Sequence, residues 1–339
     1  LMMRLNLIIN GFTALIFLTT GGCTKVEVSV PVFFQGSCLI DVTKTIAVIE
    51  TGISFEGSFP VLVCGVCWST EDNPTINNPH TADGTGSGAF TSTVSGLAPN
   101  TLYYLKPYAT SKAGTGYGDL IYVKTKAGEV TDIDGNVYST IMAGNKEWMA
   151  ENLKTTRLSD GTEIPLITDD MGWSIMQSSA YCKAVNSSDT YGLLYNWFTV
   201  KTGKLCPAGW HIATLDEWYS LVYPFDKNLQ ANMESKSAGC DLAKPGKTQF
   251  SGCMSVASNK SGFSAIAGGW RSRSGGFSND GLSSRFWLPE DLYPGSDFTF
   301  YMSVSCGCSS KKTSRPTDKR GTGFSVRCVK DTTILPISH

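Results

Sequence analysis

Eleven cysteines and three histidines carry most of the reactive side chains of this 339-residue chain. Cysteine thiols form disulfides, bind metals or act as nucleophiles, and histidine is a frequent partner in the last two roles. The histidines are few and far apart in sequence, at His80, His211 and His339. The composition therefore favours disulfides over metal clusters. Because disulfides persist outside the cytoplasm, it also predicts an exported protein.

Cys64 and Cys67 form a Cys-x-x-Cys motif, which can be a redox pair or half of a zinc site. Both residues lie in a run that is predicted to be a β-strand. An odd spacing on a strand points the two side chains to opposite faces, and no second such motif or histidine cluster completes a zinc site. We therefore expect one of the two to form a disulfide with Cys38.

His211 is the histidine best placed for acid–base chemistry, since it lies just before a predicted helix. A catalytic histidine needs a serine or cysteine nucleophile and an orienting carboxylate. The chain has no Gly-x-Ser-x-Gly or comparable signature, and Trp210 and Ile212 flank the histidine. We interpret His211 as a packed or capping residue, and we predict no catalytic residue and no enzymatic activity.

Seven of the eight tryptophans lie in the C-terminal 200 residues, and such rings can stack on the apolar faces of sugars. Four lie in apolar blocks or on a predicted helix and are expected to be core: Trp148, Trp197, Trp210 and Trp218. The others lie beside loops and, with charged neighbours, form the candidate recognition surface: Trp173, Trp270, Arg271, Trp287, Glu290 and Asp291.

Calcium is the metal that this surface could hold, because Asp169, Asp170, Glu290 and Asp291 offer carboxylate oxygens. Exposed carboxylates are more often simply solvated. The Glu-Pro-Asn and Trp-Asn-Asp signatures of calcium-dependent lectins are missing from the chain, which weakens the case for calcium. We expect no other cofactor.

The charge balance excludes one class of partner. Lysine and arginine number 28 against 29 aspartates and glutamates, and a nucleic-acid clamp needs a basic face. Apolar residues make up 41% of the chain, enough for packed cores, and 35 glycines favour turn-rich β architecture. The length suggests two domains.

The first 22 residues have the pattern of an export signal. Arg4 precedes the apolar run 5–18, and small residues lead to Cys23. The run is too short to span a membrane as a helix. The ending resembles the lipobox of bacterial lipoproteins, which implies a lipid-modified Cys23, a membrane anchor and an outer-membrane location. Simple secretion is the alternative. Residues 23–36 are interpreted as a tether.

Residues 37–126 show short β-branched runs separated by turn residues, about ten residues apart, which predicts an all-β sandwich. The candidate strands are 43–53, 60–68, 88–97, 100–111 and 119–126. Residues 96–126 resemble the second half of a fibronectin type III domain, with Tyr103 at the tyrosine-corner position. GVCWSTEDNPTI (65–76) resembles repeats of this type in surface proteins of gut and fibre-degrading bacteria.

Residues 127–332 form the second predicted unit. Asp134-Gly135 and Gly144-Asn145 suit type I′ and type II′ turns, which predicts a three-stranded meander. Asp132, Asp134 and Asn136 could also begin a calcium loop, but the spacing of an EF-hand is missing, so the turn is favoured.

Thr214 and Glu217 predict a capping box at a helix start. A second helix is predicted over 228–238.

This unit resembles the Fibrobacter succinogenes major paralogous domain, a family of bacterial surface proteins. Six blocks match in order: DIDGNVY, EWMAENLKTT, YGLLYNW, KLCPAGWHIATLDEW, SGFSAIAGGWR and GFSVRCVKD. The resemblance implies an α+β fold like that of C-type lectins. Such folds tie the helical part to the last strand, which implies a disulfide between Cys206 and Cys328.

The remaining cysteines of the unit admit several pairings. Cys240 and Cys253 flank a short loop and are expected to form a local disulfide. Cys182 is expected to pair with Cys306 or Cys308. One cysteine is then left over, either free or joined to the first unit.

The sequence thus predicts a non-catalytic lipoprotein at the bacterial cell surface that binds a glycan or a surface polymer. One alternative is a structural envelope component or protein–protein adhesin. The other is an oxidase of the formylglycine-generating type, which uses the same lectin-like fold and would hold copper on Cys306 and Cys308.

Overall fold

The computed structural model describes most of the chain beyond its first 26 residues. The described ranges are 27–184, 191–229, 234–245, 257–278, 281–291, 298–307, 310–314, 317–319 and 321–332, with residue 250. For residues 298 and 306–319 the description covers the backbone alone. The predicted signal peptide, Cys23, Cys253, Cys308 and the tail 333–339 lie outside these ranges. No helix within them is long and apolar enough to cross a membrane.

Eight strands build a β-sandwich in the first unit. They are β1 (Val32–Phe33), β2 (Cys38–Val42), β3 (Ile46–Phe55), β4 (Val63–Ser69), β5 (Gly88–Ser95), β6 (Leu102–Ser111), β7 (Gly114–Tyr117) and β8 (Ile121–Lys124). β1, β2 and β5 pair with β3 in one antiparallel sheet, and β4, β7 and β8 pair with β6 in the other. Side chains of both sheets, such as Ile49 and Val66, form one buried cluster. The predicted sandwich is confirmed.

The segment interpreted as a tether, 23–36, contributes a strand instead. β1 pairs with the end of β3, where Phe33 lies opposite Ile53. The Phe33 ring is buried with Ile53, Val61 and Cys64 in a second cluster of the sandwich. Leaving a phenylalanine side chain in water would forgo about 1.5–3 kcal/mol of burial free energy, so this part of the segment packs onto the sheet.

Tyr103 forms the contact that defines a tyrosine corner. Its hydroxyl oxygen accepts a hydrogen bond of 2.9 Å from the backbone N–H of Ala98, five residues earlier. The bond fixes the chain where it enters β6, because it joins the loop before the strand to the side chain of Tyr103 within the strand. The corner predicted from the sequence is therefore present.

Replacing Tyr103 with Phe is expected to destabilise the sandwich by about 1 kcal/mol, because one hydrogen bond is lost while the ring is kept. The measurement is the urea midpoint of the unfolding transition of the sandwich. Tyr104→Phe is the matched control, since the Tyr104 ring packs edge-on against Tyr122 at 5.6 Å. Equal midpoints for the two variants would show that the corner does not contribute.

The cysteines of the sandwich are unpaired, contrary to the disulfide expected from Cys38. Cys64 and Cys67 are buried, whereas Cys38 is only partly buried on a strand of the opposite sheet. The Cys67 thiol donates a hydrogen bond to the Lys106 carbonyl oxygen at 3.1 Å, and burial raises its pKa to about 11. Both buried thiols therefore act as small apolar core residues and not as a redox pair.

The second unit is predominantly β in its described part. Its strands are β9 (Gly128–Thr131), β10 (Val137–Ala143), β11 (Lys146–Met149), β12 (Tyr181–Lys183), β13 (Leu193–Asn196), β14 (Trp210–Ile212), β15 (Trp270–Arg271), β16 (Phe277–Ser278), β17 (Ser283–Asp291), β18 (Phe298–Gly307), β19 (Ser310–Ser314), β20 (Thr317–Lys319), β21 (Gly323–Phe324) and β22 (Cys328–Lys330). Its helices are α1 (Asp170–Ile175), α2 (Trp197–Lys201), α3 (Leu215–Val222) and α4 (Gly239–Leu242). The longest has eight residues, and the lectin-like α+β assignment stays a prediction.

The three sheets of this unit bring its two ends together. The predicted meander is present as β9, β10 and β11, and β22 pairs with β11 on one side and with β14 on the other. The second sheet has the order β12-β13-β21-β15-β16, and β17 to β20 form the third. The rings of Trp148, Trp218, Phe263 and Phe286 pack with centroids 5.1–5.8 Å apart. Trp148, Trp197 and Trp218 are core as predicted, and Trp210 is half-buried.

Both turns of the meander occur where predicted, but their types differ. Gly144 and Asn145 have φ values of 56° and 61°, which is the pattern of a type I′ turn and not of type II′. In the other turn Gly135 has a positive φ and Asp134 does not. That turn is held by the Asp132 carboxylate, which accepts hydrogen bonds from the backbone N–H groups of Asp134 and Asn136.

The Asp134 carboxylate is likewise occupied by the protein. It accepts hydrogen bonds from the Thr155 hydroxyl, from Thr156 and from the Arg157 guanidinium. Burial by itself would raise its pKa, but these hydrogen bonds outweigh burial and lower the pKa to about 2. The carboxylates considered for a calcium loop therefore hold the fold together.

Asp134 is expected to stabilise the protein above pH 4 and to lose this effect as the pH falls towards 2. The reason is that its folded pKa lies below its ordinary value of 3.8. Asp134→Asn should lower stability at pH 7 by about 1 kcal/mol after solvent screening, and the deficit should vanish near pH 2. Urea unfolding from pH 2 to 7 measures it, with the exposed Glu129→Gln as control. A deficit that does not change with pH would contradict the assignment.

The capping box that begins α3 is confirmed. The Thr214 hydroxyl accepts the Glu217 N–H, and the Glu217 carboxylate accepts the Thr214 N–H. Trp218, Leu221 and Val222 then face the core.

The helix predicted over 228–238 is wrong for its described residues, since α4 begins only at Gly239. The Ser235 hydroxyl accepts the N–H groups of Ser237 and Ala238, and such local bonds compete with helix formation.

Candidate functional site

The structure buries most of the recognition surface predicted from the sequence. Trp173, Arg271 and Trp287 are 2%, 0% and 1% exposed, so they cannot stack on a ligand at the surface. Trp287 packs between Trp197 and Phe324, and its indole N–H donates to a backbone carbonyl. These three residues are core, because neighbouring segments fold over α1, β15 and β17, which carry them.

Arg271 shows how this burial is compensated. Its guanidinium donates to the carbonyl oxygens of Ile167, Thr168 and Gly275 and to the Asp170 carboxylate. The Trp173 ring packs against the guanidinium, 4.8 Å from ring centroid to Cζ. The residue therefore fastens α1 and the loop before it onto β15.

The remaining candidates have structural roles as well. The Glu290 Oε1 accepts the Leu215 N–H at the start of α3, and Trp270 is half-buried beneath the Arg285 guanidinium. Asp291 pairs with Thr299 between β17 and β18. Asp169 accepts the Gly172 N–H, which caps α1. In the part of the chain that the structure describes, no three His, Cys, Asp or Glu side chains cluster in a way that could hold a metal ion.

The cysteines of the second unit follow the expectation only in part. Cys206 and Cys328 form the disulfide that the lectin-like resemblance implied, with 6.0 Å between their Cα atoms. Cys240 is disulfide-bonded, while its expected partner Cys253 lies outside the described residues.

Cys182 is unpaired, contrary to the pairing expected with Cys306 or Cys308. Its thiol is buried under Arg271, and burial raises its pKa to about 11, which makes it inert. Of Cys306 only the backbone is described, and Cys308 is not described.

His211 bridges the start of α3 and the end of β22. Its Nδ1 lies 2.6 Å from the Asp331 Oδ1, and its Nε2 lies 3.0 Å from both Glu217 carboxylate oxygens. Lys146 adds a contact of 3.4 Å to Glu217. Each ring nitrogen thus faces a carboxylate in a structural bridge, in line with the packed or capping role predicted.

A cleft of about 140 Å³ lies where the two units meet. It is lined by Leu39, Ile40, Asp41, Val42, Lys126, Ser139, Ala150, Glu151, Lys244, Pro245, Asn259, Ser264, Ile266 and Arg327. These residues come from β2 of the sandwich, from the segment after β8, from β10, from the two residues after β11 and from later loops of the second unit. The cleft therefore exists only when both units are assembled.

Lys126 lies in the segment that connects the two units, and its side chain lines the cleft. Its backbone N–H donates to the Thr43 carbonyl, and the next N–H, of Ala127, donates to the Thr140 carbonyl of the second unit. Its side chain is only 10% exposed. The nearest carboxylate oxygen to Nζ, Oε1 of Glu151, is 4.0 Å away, and no described residue accepts a hydrogen bond from the ammonium.

Charges of both signs surround the Lys126 ammonium. Burial lowers the pKa of Lys126, while the carboxylates of Glu151 and Asp41 oppose that effect. The charges of Arg327 and Lys244 lower the pKa further. The cleft thus holds, among charges of both signs, a largely buried ammonium for which no described residue is a hydrogen-bond acceptor.

Two residues of the cleft wall adopt a backbone conformation that side chains disfavour. Asn259 and Ser264 have φ values of 49° and 55°. Each supports the other, since the Ser264 N–H donates to the Asn259 side-chain oxygen and the Asn259 amide donates to the Ser264 hydroxyl. Backbone strain of this kind is concentrated at binding sites in proteins.

Sequence reasoning missed this site. The sequence divides the two units between residues 126 and 127 and assigns no binding role to Lys126. Nothing in the local sequence KAGEVT (126–131) indicates that this lysine is buried. The residues that line the cleft include three cations, two carboxylates, one side-chain amide and two hydroxyls, a set that can form hydrogen bonds and ion pairs with a polar group.

The described part of the chain is a β-rich protein of two units, with a cleft where the units meet. Residues 141–330 match the Fibrobacter succinogenes major domain. The match spans more than half of the chain, and the chain belongs to this family.

Solved structures are similar to part of the chain. The sensor domain of the anti-sigma factor RsgI4 of Pseudobacteroides cellulosolvens is 18% identical over 30% of this chain and 99% of its own, with a TM-score of 0.23. The sixth fibronectin type III domain of human fibronectin type III domain containing protein 3 is 18% identical over 31% of this chain and 95% of its own, with a TM-score of 0.24. No curated protein matches the chain.

Proposed function

We propose that the protein is a non-catalytic component of the bacterial cell surface that binds a glycan or surface polymer in the cleft between its two units. In this proposal the sandwich is a spacer, the second unit is lectin-like, and Cys23 carries the lipid anchor at the outer membrane. Membership of the Fibrobacter succinogenes major family supports a surface role. The observation that carries the binding site is the buried ammonium of Lys126.

A buried ammonium without hydrogen-bond acceptors is costly to a fold. Transferring an unpaired polar group from water costs about 2–7 kcal/mol, and a charge costs more. The carboxylate of Glu151 at 4.0 Å offsets only part of this, because it is 45% exposed and screened by solvent. Oxygen atoms of a ligand would complete the site, which explains why the cation is held there.

The size of the cleft limits what enters it. Sites for drug-sized ligands occupy about 300–1,000 Å³, whereas this cleft measures about 140 Å³. One small polar group or one sugar unit fits inside. The rest of a polymer would lie outside the cleft, across the surfaces of the two units.

A glycan array of the full chain, run with and without calcium, tests the proposal. Lys126→Met keeps most of the apolar stem and removes the charge, so it is expected to weaken binding at least tenfold. Lys112→Met, at an exposed turn of the sandwich, is the matched control and should bind like the parent. Absence of binding at millimolar ligand would favour the structural alternative, an envelope component or adhesin.

The same variant makes a separate prediction for stability. Lys126→Met is expected to leave the melting temperature of the chain unchanged or to raise it, because a poorly paired buried charge is replaced by an apolar side chain. Differential scanning calorimetry without ligand measures it. A decrease of more than about 1 kcal/mol in the free energy of unfolding would mean that the ammonium stabilises the fold. That result would remove the main support for the site.

A further inference from the structure

The inference concerns the chemical class of the ligand, and it rests on the proposed function. Five charged residues line the cleft, and the cations lie deeper than the anions. The cations are Lys126, Lys244 and Arg327, and the anions are Asp41 and Glu151. Lys126 and Arg327 are buried, and Lys244 is half-buried. Asp41 and Glu151 are exposed at the rim.

The depth of each charged residue in the cleft determines how strongly its charge acts on a ligand. Charges at the rim face water and are screened, whereas charges on the floor act through a medium of lower dielectric constant. The floor therefore presents a net positive field, although the whole chain is nearly neutral. A neutral ligand would gain hydrogen bonds there, while an anion would gain hydrogen bonds and a charge interaction.

The donors available on the floor match a carboxylate. The Lys126 ammonium has three N–H groups and no described hydrogen-bond acceptor. Arg327 has five N–H groups, and four of them are used by Asn152 and by the carbonyl oxygens of Met149, Phe263 and Ser264. The Lys126 ammonium is therefore the main donor group left for a ligand, and Arg327 adds one N–H group and its positive charge, which favours an anionic group such as a carboxylate.

We infer that the cleft selects the carboxylate of an acidic sugar, so that the polymer bound at this surface is a polysaccharide containing uronic acids. The cleft holds about one such unit. Ser139, Asn259 and Ser264 line the same cleft and add hydroxyl and amide groups to its wall.

Galacturonic acid and galactose test the inference, because they differ only in a carboxylate against a hydroxymethyl group. Both are titrated into the full chain by calorimetry or by ligand-observed NMR. The uronic acid is expected to bind at least tenfold more tightly, and the preference should shrink as salt rises from 50 to 500 mM. Lys126→Met should abolish the preference, and Lys112→Met should keep it. Melting curves of both variants verify folding, and the salt dependence of the parent chain tests the inference without any variant.

The outcomes separate the two proposals. Equal affinity for both sugars, lost in Lys126→Met, would leave the proposed function standing and overturn the inference. Binding of neither sugar nor any glycan would overturn both. Acetate binding as tightly as galacturonate would show that the cleft recognises any carboxylate, and it would overturn the assignment to a sugar acid. Uronate binding that is unchanged in Lys126→Met would place the site elsewhere.

Discussion

Replacing Arg327 with Met is expected to destabilise the second unit by about 3–5 kcal/mol, because four buried oxygen atoms lose their hydrogen-bond donor. The guanidinium is fully buried. Its Nε donates to the Asn152 side-chain oxygen at 2.7 Å, and its Nη1 donates to the carbonyl oxygens of Met149 and Phe263 at 3.1 and 2.6 Å. Its Nη2 donates to the Ser264 carbonyl at 3.1 Å.

The size of the effect follows from what the substitution leaves behind. Three carbonyl oxygens and one amide oxygen would lose their donor, and each unsatisfied buried group costs about 1–3 kcal/mol before any water enters. The guanidinium also lies 4.3 Å from the centroid of the Phe263 ring. Burial also lowers the pKa of Arg327 to about 9.

Urea unfolding followed by tryptophan fluorescence measures this loss, since seven of the eight tryptophans lie in the second unit. Arg327→Lys keeps a positive charge but not the planar fork of donors, so it should be destabilised too. The exposed Arg273→Met is the control and should unfold like the parent. A loss below 1 kcal/mol in Arg327→Met would mean that water replaces the guanidinium and that the interior here is open.

Removing the disulfide between Cys206 and Cys328 is expected to cost about 2–5 kcal/mol. The two cysteines are 122 residues apart in sequence, so the bridge restricts a long loop of the unfolded chain. It also joins the loop before β14 to the first residue of β22, the strand that closes the sheet. For a unit of this size, the expected decrease in melting temperature is about 5–15 °C.

The double variant Cys206→Ser/Cys328→Ser, compared with the parent in calorimetry, makes the test specific. Reduction alone is not sufficient, because Cys240 is disulfide-bonded too. Cys38→Ser is the control, since that cysteine is unpaired and only partly buried. If the double variant and the control melted within 2 °C of each other, the bridge would contribute little beyond the pairing of β22 with β11 and β14.

Local sequence signals predicted the local structure well. Runs of β-branched residues between turn residues predicted the sandwich, because strand propensity and turn chemistry act over a few residues. The capping box of Thr214 and Glu217 predicted the start of α3 for the same reason. The turn residues of the meander predicted its strands, although φ at Asn145 made the second turn type I′.

Exposure could not be predicted in this way. Trp173 and Arg271 lie beside glycine-rich loops, which suggested a surface. Arg271 is buried because it donates to Ile167 and Thr168, about a hundred residues earlier in the chain. Cys182 was expected to form a disulfide, yet it packs unpaired in the same region. Such contacts depend on how distant segments fold over one another, and the spacing of residues along the sequence does not predict this.

The sequence by itself determined the family, the order of the two units, the sandwich and the main helix, since these depend on short-range patterns and on ordered motifs. Only the tertiary structure decided where a ligand could bind. Lys126 is an ordinary lysine in a short joint until β2, the end of β11 and the loop after α4 close around it. Burial then removes most of the water from the Lys126 side chain while no described residue accepts a hydrogen bond from its ammonium, and this makes a boundary residue a candidate binding site.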